Sequence, residues 1–196
     1  MKYKDVYEDL YANGYHSNYN LCHTKKMFPT VEEQLEKGKT ILDVGCSHGT
    51  AVLGLQEAGY AASGIDISQN AIDICNKRGI TGCVQSSVVD LPFKDSSLDA
   101  IITSDVLEHL DEEEVLPALQ SMSRVLNKGG LVFCTIFTAP EQNRSFDKIT
   151  NKYGLTNLHT FVRNYESWQD LLTTSFNIKQ LVSRTQTSFF AVLEKK

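Results

Sequence analysis

Short apolar runs alternate with stretches of helical periodicity from residue 40 onward, a rhythm that predicts parallel strands joined by crossover helices. Strands are expected at Thr40–Val44, Ala61–Ile67, Thr81–Ser87, Leu98–Ser104 and Leu131–Phe137. Between them, helices are expected at Thr50–Ala58, at Gln69–Arg78 and over a run whose Val115, Leu116, Leu119, Met122, Val125 and Leu126 recur at helical spacing. Ser68 suits an N-cap, because its hydroxyl can accept from an orphan N–H, and Gly79 suits the residue just past a helix end. Asp111 followed by Glu114 resembles a capping box, while Pro117 inside that run predicts a kink or a later start. Two β-rich runs, Asn177–Arg184 and Ser188–Glu194, are joined by Thr185-Gln186-Thr187 and predict a hairpin that adds an antiparallel strand.

Two segments stand outside the rhythm. Residues 1–37 carry Tyr3, Tyr7, Tyr11, Tyr15 and Tyr19 at a spacing of four, which is helical for part of the run. Residues 138–165 form a long polar connection with Pro140, Asn143, Asn151, Gly154 and Asn157, and long connections tend to carry function or mobility. Beyond it, Trp168, Leu171 and Leu172 mark an amphipathic helix.

Candidate chemistry concentrates where the first strand ends, in Asp43-Val44-Gly45-Cys46-Ser47-His48-Gly49. Gly45 and Gly49 allow main chain to approach a ligand closely. A carboxylate on the last turn of the strand repels phosphate and attracts an ammonium or sulfonium, so a cationic group is expected at this end. Neither the Gly-x-Gly-x-x-Gly dinucleotide pattern nor a Gly-Lys-Ser/Thr phosphate loop is present there.

These residues resemble the first motif of the class I S-adenosylmethionine-dependent methyltransferases, usually Asp-x-Gly-Cys-Gly-x-Gly. Further segments are similar to later motifs of the type 11, ubiquinone/menaquinone methyltransferase-like branch: Gly64-Ile65-Asp66-Ile67-Ser68, Leu91-Pro92-Phe93, Leu98–Ile102, Val106-Leu107-Glu108-His109-Leu110 as a following helix, and Arg124–Gly130 as the turn before strand five. The resemblance covers roughly residues 38–137, with Ser47 where the middle glycine is usual and Ser87 where the family commonly has an acid that accepts from the adenine amino group. It implies a Rossmann-like seven-stranded α/β sheet, mostly parallel with an antiparallel C-terminal strand and helices on both faces. The expected single domain divides into an N-terminal lid at 1–37, a cofactor-binding core at 38–137, a substrate-side connection at 138–165 and a closing helix and hairpin at 166–196.

The cofactor implied is S-adenosyl-L-methionine. Asp66 would hold the ribose diol, since an ionised carboxylate has two acceptor oxygens, or would merely cap the next helix. Asp43 would face the ammonium or stabilise the turn. Gly45, Cys46, Ser47 and Gly49 would lie along the cofactor, Ile67 and Val88 would flank the adenine or simply belong to the core, and Ser87 and Ser104 complete the expected contacts. His109 is a candidate base or, equally, a satisfied structural histidine, Asp105 is a rival at the same strand end, and His159 in the long connection reads as a substrate contact or base, or as a surface-loop histidine. Tyr11, Tyr15 and Tyr19, together with His159 and Trp168, are expected to close as a lid. His48 reads as positional.

Composition narrows the expectation. The 196 residues carry 19 Lys+Arg against 24 Asp+Glu, a net charge of −5, which disfavours nucleic acid and favours a small-molecule acceptor such as a metabolite, sugar or lipid precursor. The absence of an Asn/Asp-Pro-Pro-Tyr/Phe motif and of a Pro-Cys dipeptide argues against base-amino and cytosine-carbon methylation, leaving transfer to oxygen, nitrogen or an activated carbon. Cys22, Cys46, Cys75, Cys83 and Cys134 are scattered without a Cys-x-x-Cys, so no metal site is expected and the thiols read as reduced, buried and small. No apolar run is long enough to span a bilayer and the N-terminus lacks a signal-peptide apolar region, so the expected location is the cytosol. Oligomeric state is not legible. The rival readings are a noncatalytic protein of the same fold and nicotinamide-dependent oxidoreduction, the latter in conflict with Asp43 and the broken glycine pattern.

Overall fold

The computed structural model describes residues 2–15, 23–138 and 163–196. Seven strands form one sheet in the order β3-β2-β1-β4-β5-β7-β6. β1 (Thr40–Val44) pairs in parallel with β2 (Ala61–Asp66) on one side and β4 (Leu98–Ser104) on the other. β3 (Cys83–Gln85) lies outside β2, and β5 (Leu126–Phe137) outside β4, both parallel. The two final strands reverse direction: β7 (Ser188–Lys195) runs antiparallel to β5 and to β6 (Phe176–Thr185), as the hairpin pattern predicted.

Helices cover both faces. The side-chain period of two sends neighbouring strand residues to opposite cores. Ile41 and Ile102 pack with α2 (Phe28–Gln34), α3 (Thr50–Glu57) and α4 (Gln69–Lys77), through Val31, Val52, Leu55 and Ile72. Leu42 and Ile101 pack on the other face with α5 (Glu112–Val125) and α6 (Tyr165–Ser175), through Leu119, Met122, Trp168 and Leu172. The capping box of Asp111 and Glu114 starts α5 as expected, and the helix continues through Pro117. Ser68 caps α4, its Oγ accepting from Ala71 N. The tyrosine repeat begins on α1 (Lys2–Ala12).

Several expected boundaries move. β3 is shorter than Thr81–Ser87, because Ser87 turns away and its Oγ accepts from Val89 N at 3.3 Å to start a 3₁₀ segment at Val88–Asp90. β5 begins at Leu126, before the expected Leu131. Leu98 pairs with Leu126 and Ala100 with Leu131, so Asn127–Gly130 form an irregularity within the strand and not a turn ahead of it. The helix expected at Val106–Leu110 is one 3₁₀ turn, Leu107–His109. Among the described residues, no helix is long and apolar enough to cross a membrane.

Candidate active site

The chain leaves β1 toward β2 and β3 on one side, then returns to place β4 on the other side. Connections diverge there, so a crevice opens at the carboxyl ends of β1 and β4, the usual ligand position in an open α/β sheet. The turn after β1 is tied to β2, because Gly45 N and Cys46 N both donate to Ile65 O, at 2.9 and 2.8 Å. Gly45 sits at φ 75°, and a Cβ there would come within 2.5 Å of Val106 Cγ2, so any side chain would disrupt the contact with the segment after β4. Ser47 has a left-handed φ of 50° although it is not glycine. Holding a side chain in that region costs about 1–2 kcal/mol. A hydrogen bond from Ser47 N to Asp66 Oδ2 at 2.9 Å and a side-chain bond to Tyr11 hold the turn in that shape.

Asp66 ends β2 with 6% exposure. Its Oδ1 accepts from Ser68 N at 3.0 Å and its Oδ2 from Ser47 N. Burial raises the carboxyl to about 6 against the lowering effect of these bonds. Each oxygen can accept a second hydrogen bond, which is the capacity a vicinal diol requires. Asp43 is more deeply buried, at 2%, and its Oδ1 has no hydrogen-bond partner among the described residues. Burial, with Cys83 and Asp66 nearby, pushes its carboxyl well above the usual range. An ammonium donor would satisfy that oxygen and favour its ionised form, so this part of the site fits the amino-acid end of S-adenosylmethionine. Ile67 and Ser87 are half-buried and Val88 is buried at the ends of β2 and β3. Gly49 begins α3.

The strand-four candidates lie across the crevice. Asp105 has a φ of 54°, its N donates to Thr135 O at 3.0 Å, and its carboxylate accepts from Ser104 Oγ at 3.1 Å and Thr135 Oγ1 at 3.3 Å. Ser104 is thus engaged with Asp105 and Thr135. His109 is half-buried on the 3₁₀ turn, with its ring edge-on to Tyr7 at 6.0 Å between centroids. His159, like Tyr19, lies outside the described residues. Trp168 does not belong to a lid: it is fully buried on the inner face of α6, where its side chain joins the core that α5 also lines.

The N-terminal helix is already seated on the site. Tyr11 is 6% exposed and packs edge-on against His48 at 5.1 Å, with Tyr15 at 5.6 Å and Tyr7 at 6.5 Å from it. Glu8 supplies the anchor. Its carboxylate accepts from Gln69 N at 2.7 Å, Asn70 N at 3.0 Å and Ser68 Oγ at 2.9 Å, while Asn70 Nδ2 donates to Glu8 O. An anion thereby satisfies orphan N–H groups at the positive end of α4. Burial works against that charge, but the bonds from Asn70, Gln69 and Ser68 prevail and hold the Glu8 carboxyl below its usual range. Glu8→Ala is expected to speed amide exchange across residues 4–12 by at least about tenfold, the scale of one lost charged hydrogen bond, while β1 and β4 keep their protection. Equal exchange in variant and parent would show that tyrosine packing alone holds the helix.

Glu108 is a further feature not singled out from sequence. It is fully buried, Oε1 accepts from Phe137 N at 2.9 Å, and Oε2 has no partner among the described residues. Burial and the neighbouring Asp105 charge raise it to about 8, so it holds a proton at neutral pH. The cysteines also depart from expectation. Cys46, Cys75 and Cys83 come from three separate elements, and their sulfurs all lie within 4.8 Å of one another. Spacing along the chain carries no trace of this meeting.

A family profile described as a methyltransferase domain matches residues 42–134. The tRNA (carboxymethyluridine(34)-5-O)-methyltransferase of Arabidopsis thaliana is 36% identical over 114 residues, covering 58% of this chain and 28% of that protein. A probable 18S rRNA (guanine-N(7))-methyltransferase of Dictyostelium discoideum is 27% identical over 161 residues, covering 74% of this chain and 55% of that one. The chain therefore spans less than a third of the first relative and about half of the second. A solved S-adenosylmethionine-dependent methyltransferase from Methanosarcina mazei shares the fold, with a TM-score of 0.75 and 22% identity over 85% of this chain and 97% of that chain. The relatives overturn one expectation. Both curated proteins are named for RNA, so a small-molecule acceptor with nucleic acid disfavoured does not stand. Net charge is a sum over the whole chain, whereas RNA contact depends on the local face and on stacking surfaces. The matching profile places residues 42–134 in the methyltransferase-domain family, and the seven-stranded order with carboxylates at the ends of β1 and β2 is the fold of the class I S-adenosylmethionine-dependent methyltransferases.

Proposed function

We propose that the chain transfers the methyl group of S-adenosylmethionine to RNA, with tRNA as the substrate class. The observation that carries this reading is the 36% identity over 114 residues to a protein named as a tRNA methyltransferase. Half-buried Tyr7, Tyr15 and His109 beside the cofactor turn support it, because a base splayed out of single-stranded RNA stacks on such rings.

When bound, the cofactor supplies an electrophilic methyl on its sulfonium. Asp66 accepts from the ribose hydroxyls, and Asp43 pairs with the ammonium through its unsatisfied oxygen. The backbone from Gly45 to Gly49, with Cys46 and Ser47, lies along the cofactor. Ile67 and Val88 would flank the adenine, and the Ser87 hydroxyl, which accepts from Val89 N, would offer its remaining acceptor capacity to the adenine amino group. Ser104 and Asp105 position the acceptor side, since the Asp105 carboxylate is already hydrogen-bonded by Ser104 and Thr135. His109 takes the acceptor's proton where the acceptor atom carries one, and Tyr11 excludes water from the turn. The four described thiols, Cys46, Cys75, Cys83 and Cys134, are free, which supports a reducing compartment such as the cytosol for this activity.

The test is methyl transfer from tritiated S-adenosylmethionine into separated tRNA, rRNA and small-molecule fractions. Label is expected in tRNA, and single-site hydrolysis of that tRNA locates the methylated nucleotide. Label confined to the small-molecule fraction, or absent from all fractions, would overturn the RNA reading.

A further inference from the structure

Behind the cofactor turn, the protein gathers three thiols that methyl transfer does not use. Cys46 stands in the turn after β1, Cys75 on α4 and Cys83 on β3, with exposures of 4%, 0% and 7%. Their sulfurs lie within 4.8 Å of one another. Three buried cysteines can be simple packing residues, but two features show space cleared for sulfur in this place. A Cβ on Gly64 would come within 2.7 Å of Cys46 Cβ and 2.8 Å of Cys46 Sγ, and a Cβ on Gly49 within 3.0 Å of Cys75 Sγ. The Ser47 carbonyl also turns inward, accepting from Cys75 Sγ at 3.3 Å and from Cys46 Sγ at 3.9 Å.

The geometry points to a three-thiolate site for a soft, thiophilic metal ion, monovalent copper. Thiolates select soft ions. Zinc nearly always takes four ligands in a structural site, and the described residues bring no fourth histidine, cysteine or carboxylate into this group. Coordination releases the protons of the thiols to solvent. The resulting negative charge lies near the Arg78 guanidinium, which is itself fixed by bonds to His48 O and Thr50 Oγ1. The site lies at the margin of the sheet, since β3 is an edge strand with no further strand beyond it among the described residues.

Such an ion would join the turn, α4 and β3 at one point. Ser47 follows Cys46 and its N holds Asp66, so loading the site would be felt at the carboxylate that ends β2. Linkage is reciprocal: cofactor analogue and metal then change each other's affinity by the same factor.

The test uses the full chain with Cys22→Ser and Cys134→Ser, reduced and free of oxygen, titrated with Cu(I) against a chromogenic Cu(I) chelator. One equivalent held against the chelator, with three sulfur neighbours in X-ray absorption, is the expected result. Cys75→Ser in that background is expected to lower Cu(I) affinity at least about tenfold with an unchanged circular dichroism spectrum. Should that variant misfold, the sulfur count in the folded Cys22→Ser, Cys134→Ser protein decides alone. No Cu(I) retained, fewer than three sulfurs, undiminished binding by a folded Cys75→Ser variant, tighter binding of Zn(II), or a disulfide among the three thiols would each overturn the assignment.

Discussion

Asp66→Asn is expected to weaken S-adenosylhomocysteine binding by about 1.5–3 kcal/mol, or roughly tenfold to a hundredfold, because hydrogen bonds to a charged acceptor are lost. The amide keeps one acceptor oxygen but turns an NH2 toward either Ser47 N or Ser68 N, both of which now donate to the carboxylate. The parent should also respond to pH. Its Asp66 carboxyl ionises at about 6, and only the ionised form offers both oxygens as acceptors. Affinity is therefore full above that value and falls as pH falls through it, whereas the asparagine variant lacks this titration. Calorimetry at pH 5.5 and 7.5 on both proteins reads both effects. Equal affinity in the two folded proteins, or a parent whose affinity does not change with pH, would remove Asp66 from the ribose site.

The second large effect concerns stability. Glu108 keeps its proton in the folded chain up to about pH 8, while its ordinary value is 4.5. Between those values the native state binds more protons than the unfolded state, so stability is fullest below the lower value and declines as pH rises to the upper one. The slope approaches about 1.4 kcal/mol per pH unit at its steepest, for a total on the order of a few kcal/mol. Glu108→Gln keeps an oxygen to accept from Phe137 N and has nothing to titrate. The variant should match the parent near pH 5 and exceed it by about 2–4 kcal/mol at pH 8, as read by urea unfolding. Parallel pH profiles would mean that Glu108 does not retain its proton in the folded chain.

Local signals carried most of the fold. β1, β4 and α5 were legible because a strand or helix announces itself by side-chain period and by caps such as Asp111, all within a few residues. β3 and the start of β5 were misplaced where a single local event decides the boundary, the Ser87 cap in one case and the Asn127–Gly130 irregularity in the other. The carboxylates Asp43 and Asp66 could be read as a pair because motif and strand end coincide. Glu8 on α4 and the three thiols could not, since those contacts join residues far apart in sequence and depend on how crossover helices settle on the sheet. Trp168 differs in the opposite sense: an aromatic at helical spacing after a long connection suits a lid as well as a core, and here the sheet takes it as core.

The strand order has a consequence for how this chain is made. β7 follows β6 in the chain yet is inserted between β6 and β5, pairing with β5 from Leu131↔Glu194 to Phe137↔Ser188. Until residues 188–195 have left the ribosome, β5 carries an open, mostly apolar edge and β6 has no neighbour to dock on. A nascent chain at that stage offers a template for pairing with another copy. Synthesis stalled past β6 should therefore yield aggregates and not a slightly destabilised enzyme, because the eight-residue β7 moves the open edge of the sheet from the apolar β5 to the exposed, polar β6.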